Sequence, residues 1–294
     1  MSIKNPDEVI KKFLTQESSP SFFKGLKALF VRNMKIIWQY KFSLLMGFIN
    51  TLVVTSLFFY ISLLVPDLQM TQDNYTVDSI SFIFAGVLLL EISTKILMKS
   101  MNSFTSEMKQ GTFETLATLP FGLRRYFISE IAFEVLYGLI LSTVYFIPIF
   151  FIFPVFRAVS ISAASFFSLL LVALCTILFF FSLSLLAANF TILNKRGKEI
   201  AMVLIGIMHL LSGSLFPLQL FPKWLEHIAH ASPFTFAVQA FRLCLFGQGV
   251  LSDNIIWGAV LFLILSSIVL IATFYFTFNS IYKRIRITGT IHEF

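Results

Sequence analysis

Charged residues are scarce in this chain of 294 residues, where only 13% are Asp, Glu, Lys or Arg and 57% are hydrophobic. The mean hydropathy is +0.86. A soluble fold cannot hide that much apolar surface from water, so lipid must be part of the solvent. The composition excludes an ordinary soluble domain and predicts a membrane protein.

Cysteine and metal-ligand clusters are also sparse. The two cysteines, Cys175 and Cys244, lie in apolar segments without the spacing of a metal site or a disulfide framework. His227 and His230 are three residues apart, but nothing nearby completes a ligand set. We therefore expect no metal site, and we interpret both cysteines as small apolar side chains in the packing.

Nucleotide and hydrolase motifs are missing as well. No GxxxxGK[ST] segment occurs, because the nearest candidate, Arg196-Gly197-Lys198, lacks the first glycine and the final Ser or Thr. No Ser-His-Asp, Cys-His or HExxH arrangement occurs at usable spacing. The chain is therefore not expected to be an enzyme.

Six apolar runs approach the roughly 20 residues that a bilayer requires. We predict an all-α membrane protein in which residues 1–20 form a cytoplasmic tail, 21–41 an amphipathic interface helix, and 42–294 a domain of six transmembrane helices. The predicted spans lie near residues 42–65, 79–101, 127–153, 162–189, 199–216 and 255–281.

The interface helix is predicted from the two faces of residues 21–41. Cations such as Lys24, Lys27 and Lys35 share one side, and aromatic and aliphatic residues share the other, with Asn33 as an exception on the apolar side. This pattern is typical of a helix that lies along the lipid surface. The alternative is that the segment simply begins the first span, which its cations make less plausible.

The basic residues also predict orientation. Most of the 22 Lys and Arg fall in segments that share one side if the N-terminus is inside, whereas residues 66–78 carry three aspartates and no base. The positive-inside bias therefore favours cytoplasmic N- and C-termini in a multi-pass protein of the plasma membrane. Because the cations flank apolar runs, they do not indicate a nucleic-acid partner.

A polar loop at residues 102–126 separates the second and third predicted spans. Gly111 breaks the preceding helix, Thr112 can cap a new one, and Pro120 ends it after about two turns. Two interpretations stay open. The short helix is either a docking element for a partner or only a connection between spans.

Residues 217–247 predict a re-entrant helical hairpin on the outer side. Pro222 starts one short helix, and Ser232 with Pro233 starts a second that ends at Gly247. The second helix covers only about 20 Å at 1.5 Å per residue, too short for a hydrocarbon core of about 30 Å. An amphipathic surface pair anchored by Trp224 is the alternative.

Ionisable residues at membrane depth are candidates for a transport pathway, because an isolated charge there is costly. They are Glu91 and Lys95 in the second span, Glu130 and Glu134 at the start of the third, and His209 in the fifth. Glu91 and Lys95 are one turn apart, so a self-neutralising structural ion pair is the alternative. Glu130 and Glu134 lie near the inner interface, where a solvated structural role also stays open.

Several motifs, in order and at consistent spacing, resemble those of type-2 ABC transporter permeases. The similarity covers almost the whole chain, with one departure at Phe236, where relatives often have Tyr. The motifs are QGTFETL at 110–116 with LP at 119–120, LSG at 211–213 with FP at 216–217, FPKWL at 221–225, and SPFTFA at 232–237 ahead of Arg242.

This resemblance implies an exporter subunit that moves a drug-like, lipid-linked or glycan substrate out of the cytoplasm. It implies two permease chains, expected to be copies of one another, and two ATPase subunits that bind ATP and Mg, with no cofactor in this chain. The implied ATPase contacts are Gly111, Thr112, Phe113, Glu114, Leu116 and Pro120, with a smaller contact at Asn194, Lys195 and Arg196. The implied hairpin residues are Pro217, Pro222, Trp224, Pro233 and Arg242.

Two rival functions come from the membrane-depth residues. An intramembrane enzyme would use Glu91, Glu130 and His209 for acid–base chemistry, and a proton-coupled secondary transporter would use the same residues to carry protons.

Overall fold

The computed structural model describes residues 22–63, 70–72, 75–77, 79–110, 122–152, 162–194, 197–246 and 253–288. Within these ranges the chain is almost entirely helical. The helices are α1 Phe22–Gln39, α2 Lys41–Leu63, α3 Ser79–Lys109, α4 Leu123–Ile152, α5 Ala163–Asn194, α6 Gly197–Leu211, α7 Lys223–His230, α8 Pro233–Leu245 and α9 Asn254–Thr288.

Five of these helices, α2, α3, α4, α5 and α9, are long and apolar enough to cross a membrane. The chain is therefore a multi-pass membrane protein. The helix α6 is equally apolar but has only 15 residues. It ends at Leu211, five residues before the end of the fifth predicted span at residue 216.

Burial differs sharply between the long helices. In the most apolar part of α3, 67% of residues are buried, compared with 11% in α2. The few buried residues of α2 are polar, namely Thr51, Thr55 and Ser62. The helix α2 therefore lies at the edge, with its polar side inward and its apolar side outward, as expected where lipid replaces water.

The centre of the bundle is formed by α3 and α5. The helix α5 packs against α3, α4, α6, α8 and α9, and the buried core runs continuously through these helices. Inside it, the rings of Phe180 on α5 and Phe234 on α8 lie edge to face at 5.3 Å. The short helix α8 is therefore a core element and not a surface one.

Two features differ from the sequence prediction. A small antiparallel hairpin pairs Met70–Gln72 with Tyr75–Val77, so the fold is not purely α. The helix α3 continues to Lys109 and α4 begins at Leu123, so both ends of the predicted loop 102–126 are helical. Both helices are longer than their apolar runs because their polar ends pack against α1.

Candidate functional site

Polar side chains from three helices meet at the end of the bundle where α3 stops and α4 starts. We call this cluster the inner clamp and define it as Arg32 and Asn33 of α1, Glu107 of α3, and Tyr126 and Glu130 of α4. It lies at the ends of α3 and α4 that residues 111–121 connect in the sequence, and residues 111–121 lie outside the described residues. The inner clamp therefore ties α1 to both helices that flank this segment.

Glu130 is the centre of the inner clamp. Its side chain is only 2% exposed, and its carboxylate accepts hydrogen bonds from Asn33 at 2.9 Å, Arg32 at 3.2 Å and Ser103 at 2.6 Å. A buried carboxylate is tolerated when it is paired and hydrogen-bonded in this way. A solvated role for Glu130, one of the open interpretations, is therefore wrong.

Arg32 joins the two carboxylates of the clamp. Its guanidinium lies 3.1 Å from Glu107 and 3.2 Å from Glu130, and it donates to the Tyr126 hydroxyl at 3.2 Å. Partial burial lowers the pKa of Arg32, but Tyr126, Glu130 and Glu107 raise it more, so the net shift is upward. Arg32 therefore stays charged, although its side chain is only partly exposed to water.

Ring packing reinforces the same end of α3 and α4. Phe104 and Phe127 stack at 4.4 Å with an angle of 10° between their planes, and the Tyr126 hydroxyl donates to Glu107 at 3.0 Å. Gly122 turns the chain into α4 with φ 84°, a conformation that favours glycine. The two helix ends are thus fixed to one another as well as to α1.

A cavity of about 430 Å³ opens next to the inner clamp, between α1, the start of α2, α3 and α4. Lys99 and Glu134 line it together with the clamp residues Arg32, Glu107 and Glu130. The Lys99 ammonium lies 4.9 Å from the centre of the Tyr137 ring. The cavity is therefore rich in charge.

The residues implied to contact an ATPase fall largely outside the described ranges. Asn194 is the last residue of α5, and no side-chain contact of it is described. The flanking residues Lys109 and Gly122 are described and lie at the clamp end of the bundle. The residues outside the described ranges are Gly111, Thr112, Phe113, Glu114, Leu116, Pro120, Lys195 and Arg196.

Glu91 and Lys95 form the ion pair that their spacing predicts, at 3.1 Å and with 15% and 13% of the side chains exposed. The Lys95 ammonium also lies 5.0 Å from the Tyr145 ring centre and 5.6 Å from that of Phe146, both on α4. Such cation–π contacts stabilise a cation that is partly removed from water. The pair therefore helps to join α3 to α4 near the middle of α3.

His209 is not part of that pair. Its Nε2 atom lies 3.1 Å from the Thr94 hydroxyl, at the contact between α6 and α3. Glu130 is farther away still, because its partner Ser103 lies twelve residues along α3 from Glu91, or about 18 Å at 1.5 Å per residue. The structure therefore does not assemble Glu91, Glu130 and His209 into one acid–base site.

A second polar cluster, which we call the outer clamp, surrounds Arg242 of α8. This side chain is fully buried and donates hydrogen bonds to the carbonyls of Phe82 at 3.1 Å and Gly213 at 3.0 Å, and to that of Ser214. The guanidinium also lies 3.5 Å above the Phe82 ring. Arg242 therefore joins α8 to the start of α3 and to the chain that leaves α6.

Glycines allow α3 and the chain that leaves α6 to lie close together beside Arg242. A Cβ atom on Gly86 of α3 would lie 1.9 Å from the Ser214 carbonyl oxygen, and one on Gly213 would lie 2.7 Å from Leu218. Gly213 also has φ 63°, in the left-handed region that favours glycine. The turn at Gly213 directs the carbonyls of residues 213 and 214 toward Arg242.

The remaining hairpin residues lie around short helices. Pro217 precedes a 3₁₀ turn at Leu218–Leu220, Pro222 precedes α7, and Pro233 is the first residue of α8 after Ser232. Trp224 of α7 is 67% exposed. The break between two short helices, expected from the prolines, is therefore present.

Sequence reasoning missed most of both clamps. It named Arg242 and Glu130, but it did not pair Glu130 with Arg32, Asn33 and Ser103, or Arg242 with backbone carbonyls. One signal was available, because Asn33 was the polar exception on an apolar helix face, and such a residue needs a buried partner. The other partners depend on tertiary packing.

The comparison with protein families gives a match over most of this architecture. The model of the family described as ABC-2 type transporter matches residues 24–246, which include α1, the inner clamp, the outer clamp and the helices between them. Comparison with curated proteins gives no match. The family consists of membrane-embedded transport subunits, in agreement with the apolar helices found here. The chain therefore belongs to the ABC-2 type transporter family and is a permease.

Proposed function

We propose that this permease is the transmembrane part of an exporter that is driven by a separate ATPase. The observation that carries the proposal is the inner clamp. Arg32, Glu107 and Glu130 join α1 to the two helices that flank residues 111–121. A force applied to that segment would move α1, α3 and α4 together instead of bending one loop.

The segment 111–121 is proposed as the main docking element, with Glu114 among its contacts and residues 194–198 as a smaller second one. Each ATPase subunit would bind ATP and Mg and hold one such element. Closure of two ATPase subunits would then shift the bundle between inward-closed and outward-open packings, because the clamped helices must move with the docked segment.

A sixth crossing by α6 is supported by its neighbours at both ends. At one end, Glu199 and Phe190 line the same groove, and the adjacent Thr191 hydroxyl lies 3.2 Å from the Met101 sulfur. At the other end, Gly213 and Ser214 reach the level of Phe82 through Arg242. From residue 82 to 101 on α3 is about 29 Å, close to a hydrocarbon core of about 30 Å.

The re-entrant hairpin is supported by its depth. At its tip, the Phe234 ring packs on Phe180, near the middle of α5, and the Thr235 hydroxyl donates to the Leu211 carbonyl at 2.9 Å. Arg242, farther along α8, is back at the level of Phe82 near the start of α3. The hairpin would thus enter the membrane to about mid-depth and return to the same side.

We propose that the permease lies in the plasma membrane with both termini in the cytoplasm. The distribution of Lys and Arg supports this orientation, because these residues are more frequent in cytoplasmic loops. It puts the inner clamp on the cytoplasmic side, where an ATPase can reach it, and the outer clamp on the opposite side.

The substrate we propose is a drug-like, lipid-linked or glycan molecule, and its path lies between two copies of the permease. Glu91, Lys95 and His209 are the candidate residues along it, because they are the ionisable groups at mid-depth near α3 and α6. A proton-coupled or enzymatic function is less well supported, since Glu130 is engaged in the inner clamp far from these residues.

Co-purification and hydrolysis assays test the proposed function. The chain purified alone should hydrolyse no ATP, and co-expression with its ATPase should recover a complex that does. Glu114→Arg should abolish recovery of the ATPase, because it reverses a charge in the docking segment. Glu226→Arg on α7 is the matched control, since it makes the same change at the opposite end of the bundle. Unchanged ATPase binding and transport in Glu114→Arg would contradict the proposal.

A further inference from the structure

The cavity beside the inner clamp contains two charges that the clamp does not use. Arg32 is occupied by Glu107 and Glu130, which leaves Lys99 of α3 and Glu134 of α4. No described residue donates a hydrogen bond to the Glu134 carboxylate, and its Oε2 atom is enclosed. A bound group that donates a hydrogen bond to this atom would be favourable, because a buried polar atom without a hydrogen bond destabilises the folded protein.

Lys99 faces the same cavity without an acidic partner. Among the described residues its ammonium makes no ion pair within 4.0 Å, and it lies 4.9 Å from the centre of the Tyr137 ring. Lys99 on α3 and Glu134 on α4 both line the cavity. One side of the cavity thus offers an acceptor for an ammonium, and another offers a donor for a phosphate.

Part of the remaining wall is apolar, although Ser43, Asn102, Ser106 and Gln110 also line the cavity. Ile36 and Tyr40, at the end of α1, line the cavity and are 46% and 64% exposed, and Leu44 of α2 continues the same wall. A cavity with charged groups inside and apolar residues at its rim suits a lipid, whose headgroup enters while its chains stay outside. Its volume of about 430 Å³ is ample for a small headgroup.

We propose that this cavity binds the headgroup of a zwitterionic aminophospholipid from the adjacent leaflet. The primary ammonium donates to Glu134, and the phosphate accepts from Lys99. A choline headgroup is disfavoured because its quaternary ammonium cannot donate a hydrogen bond. An anionic glycerol headgroup is disfavoured because the cavity has three carboxylates, Glu107, Glu130 and Glu134, against two cations.

The bound lipid would fill the space between α1 and the ends of α3 and α4. It would thereby strengthen the contact that the inner clamp makes, and permease assembly would depend on the lipid composition of the membrane. This inference does not require the proposed ATPase, because the chain alone contains all the residues involved.

Lipid retention measured by native mass spectrometry tests the proposal. The full chain is purified in detergent and equilibrated with equal amounts of phosphatidylethanolamine, phosphatidylcholine and phosphatidylglycerol. We expect phosphatidylethanolamine to be retained about tenfold more than either of the others, as one hydrogen bond to a charged group allows. Equal retention of phosphatidylethanolamine and phosphatidylcholine would overturn the proposal.

Variants locate the site. Glu134→Gln should reduce the preference for phosphatidylethanolamine over phosphatidylcholine by about tenfold, because it weakens the acceptor for the primary ammonium. Lys99→Gln should reduce the retention of phosphatidylethanolamine by about tenfold, because it removes the donor to the phosphate that all three lipids share. Glu199→Gln, an exposed glutamate at the start of α6, is the matched control and should leave both quantities unchanged. If Glu134→Gln does not fold, the retention by Lys99→Gln decides. An unchanged preference in the folded Glu134→Gln protein, or unchanged retention in the folded Lys99→Gln protein, would overturn the assignment.

A soluble competitor separates the two sources of the headgroup chemistry. Millimolar glycerophosphoethanolamine has the same ammonium and phosphodiester groups and no acyl chains. We expect it to displace little of the bound phosphatidylethanolamine, because the apolar rim holds the chains. Complete displacement would show that the cavity takes a free zwitterion, and the lipid assignment would be wrong.

Discussion

Asn33 donates a hydrogen bond of 2.9 Å to the Glu130 carboxylate, from a helix that lies 97 residues earlier in the chain. Both side chains are buried, and Arg32 and Ser103 complete the environment of the carboxylate. The contact therefore fixes the angle between α1 and the bundle. It also predicts what happens when one partner is removed.

Asn33→Leu should destabilise the folded permease by about 1–3 kcal/mol, because it removes a donor from a buried charge. Thermal unfolding in detergent measures this change. Gln39→Leu, at an exposed position of the same helix, is the control and should have little effect. Equal unfolding temperatures for Asn33→Leu and the wild type would show that Glu130 does not need this donor.

Arg242→Lys should lower the free energy of unfolding by about 3 kcal/mol, because lysine keeps the charge but cannot reach three carbonyls at once. We also expect transport to fall, since the chain leaving α6 would no longer be held against α3. Arg125→Lys at an exposed position of α4 provides the matched comparison. If Arg242→Lys and the wild type have the same free energy of unfolding, the several hydrogen bonds that the Arg242 guanidinium donates do not contribute to stability.

Gly86→Ala should be destabilising by about 1–3 kcal/mol, as overpacking usually is, because the new methyl group would lie 1.9 Å from the Ser214 carbonyl oxygen. Gly206→Ala should be neutral or slightly stabilising, since nothing described lies within 4 Å of its added methyl. Unfolding measurements on both variants check this contrast. Similar effects of the two substitutions would contradict the close contact at Gly86.

Glu91→Gln and Lys95→Gln should each cost about 3 kcal/mol of stability, because each leaves one largely buried charge without its partner. The double variant should recover much of this loss, and a double-mutant cycle measures the coupling between the two residues. Transport by the double variant then distinguishes the two interpretations of the pair. Recovery of transport supports a structural pair, and continued loss supports a pathway role. Additive single effects would contradict the ion pair itself.

Hydrophobic periodicity predicted the helices well. The long apolar runs became α2, α3, α4, α5 and α9, and the amphipathic segment became α1, because run length and face pattern are local properties of the sequence. Ser232 and Pro233 likewise predicted the start of α8, because helix-start signals are also local properties of the sequence. The small strand pair at 70–77 was missed, since three-residue strands leave no clear pattern.

The clamps were less predictable because their partners are distant in sequence. Phe82 and Arg242 are 160 positions apart, and Arg32 and Glu130 are 98 apart, so only tertiary packing brings them together. The sequence indicated that a charge at Glu130 was costly at its depth, and Arg242 was named only through the family resemblance. It did not indicate which backbone carbonyls or side chains would compensate them.

The helix α3 runs without interruption for 31 residues, or about 46 Å, and touches the outer clamp near its first residues and the inner clamp near its last. A rigid rod that is pinned at both ends cannot loosen one end without disturbing the other. Tilting α3 would thus loosen the contacts of one clamp while straining those of the other. The two ends of the bundle are therefore mechanically coupled through α3.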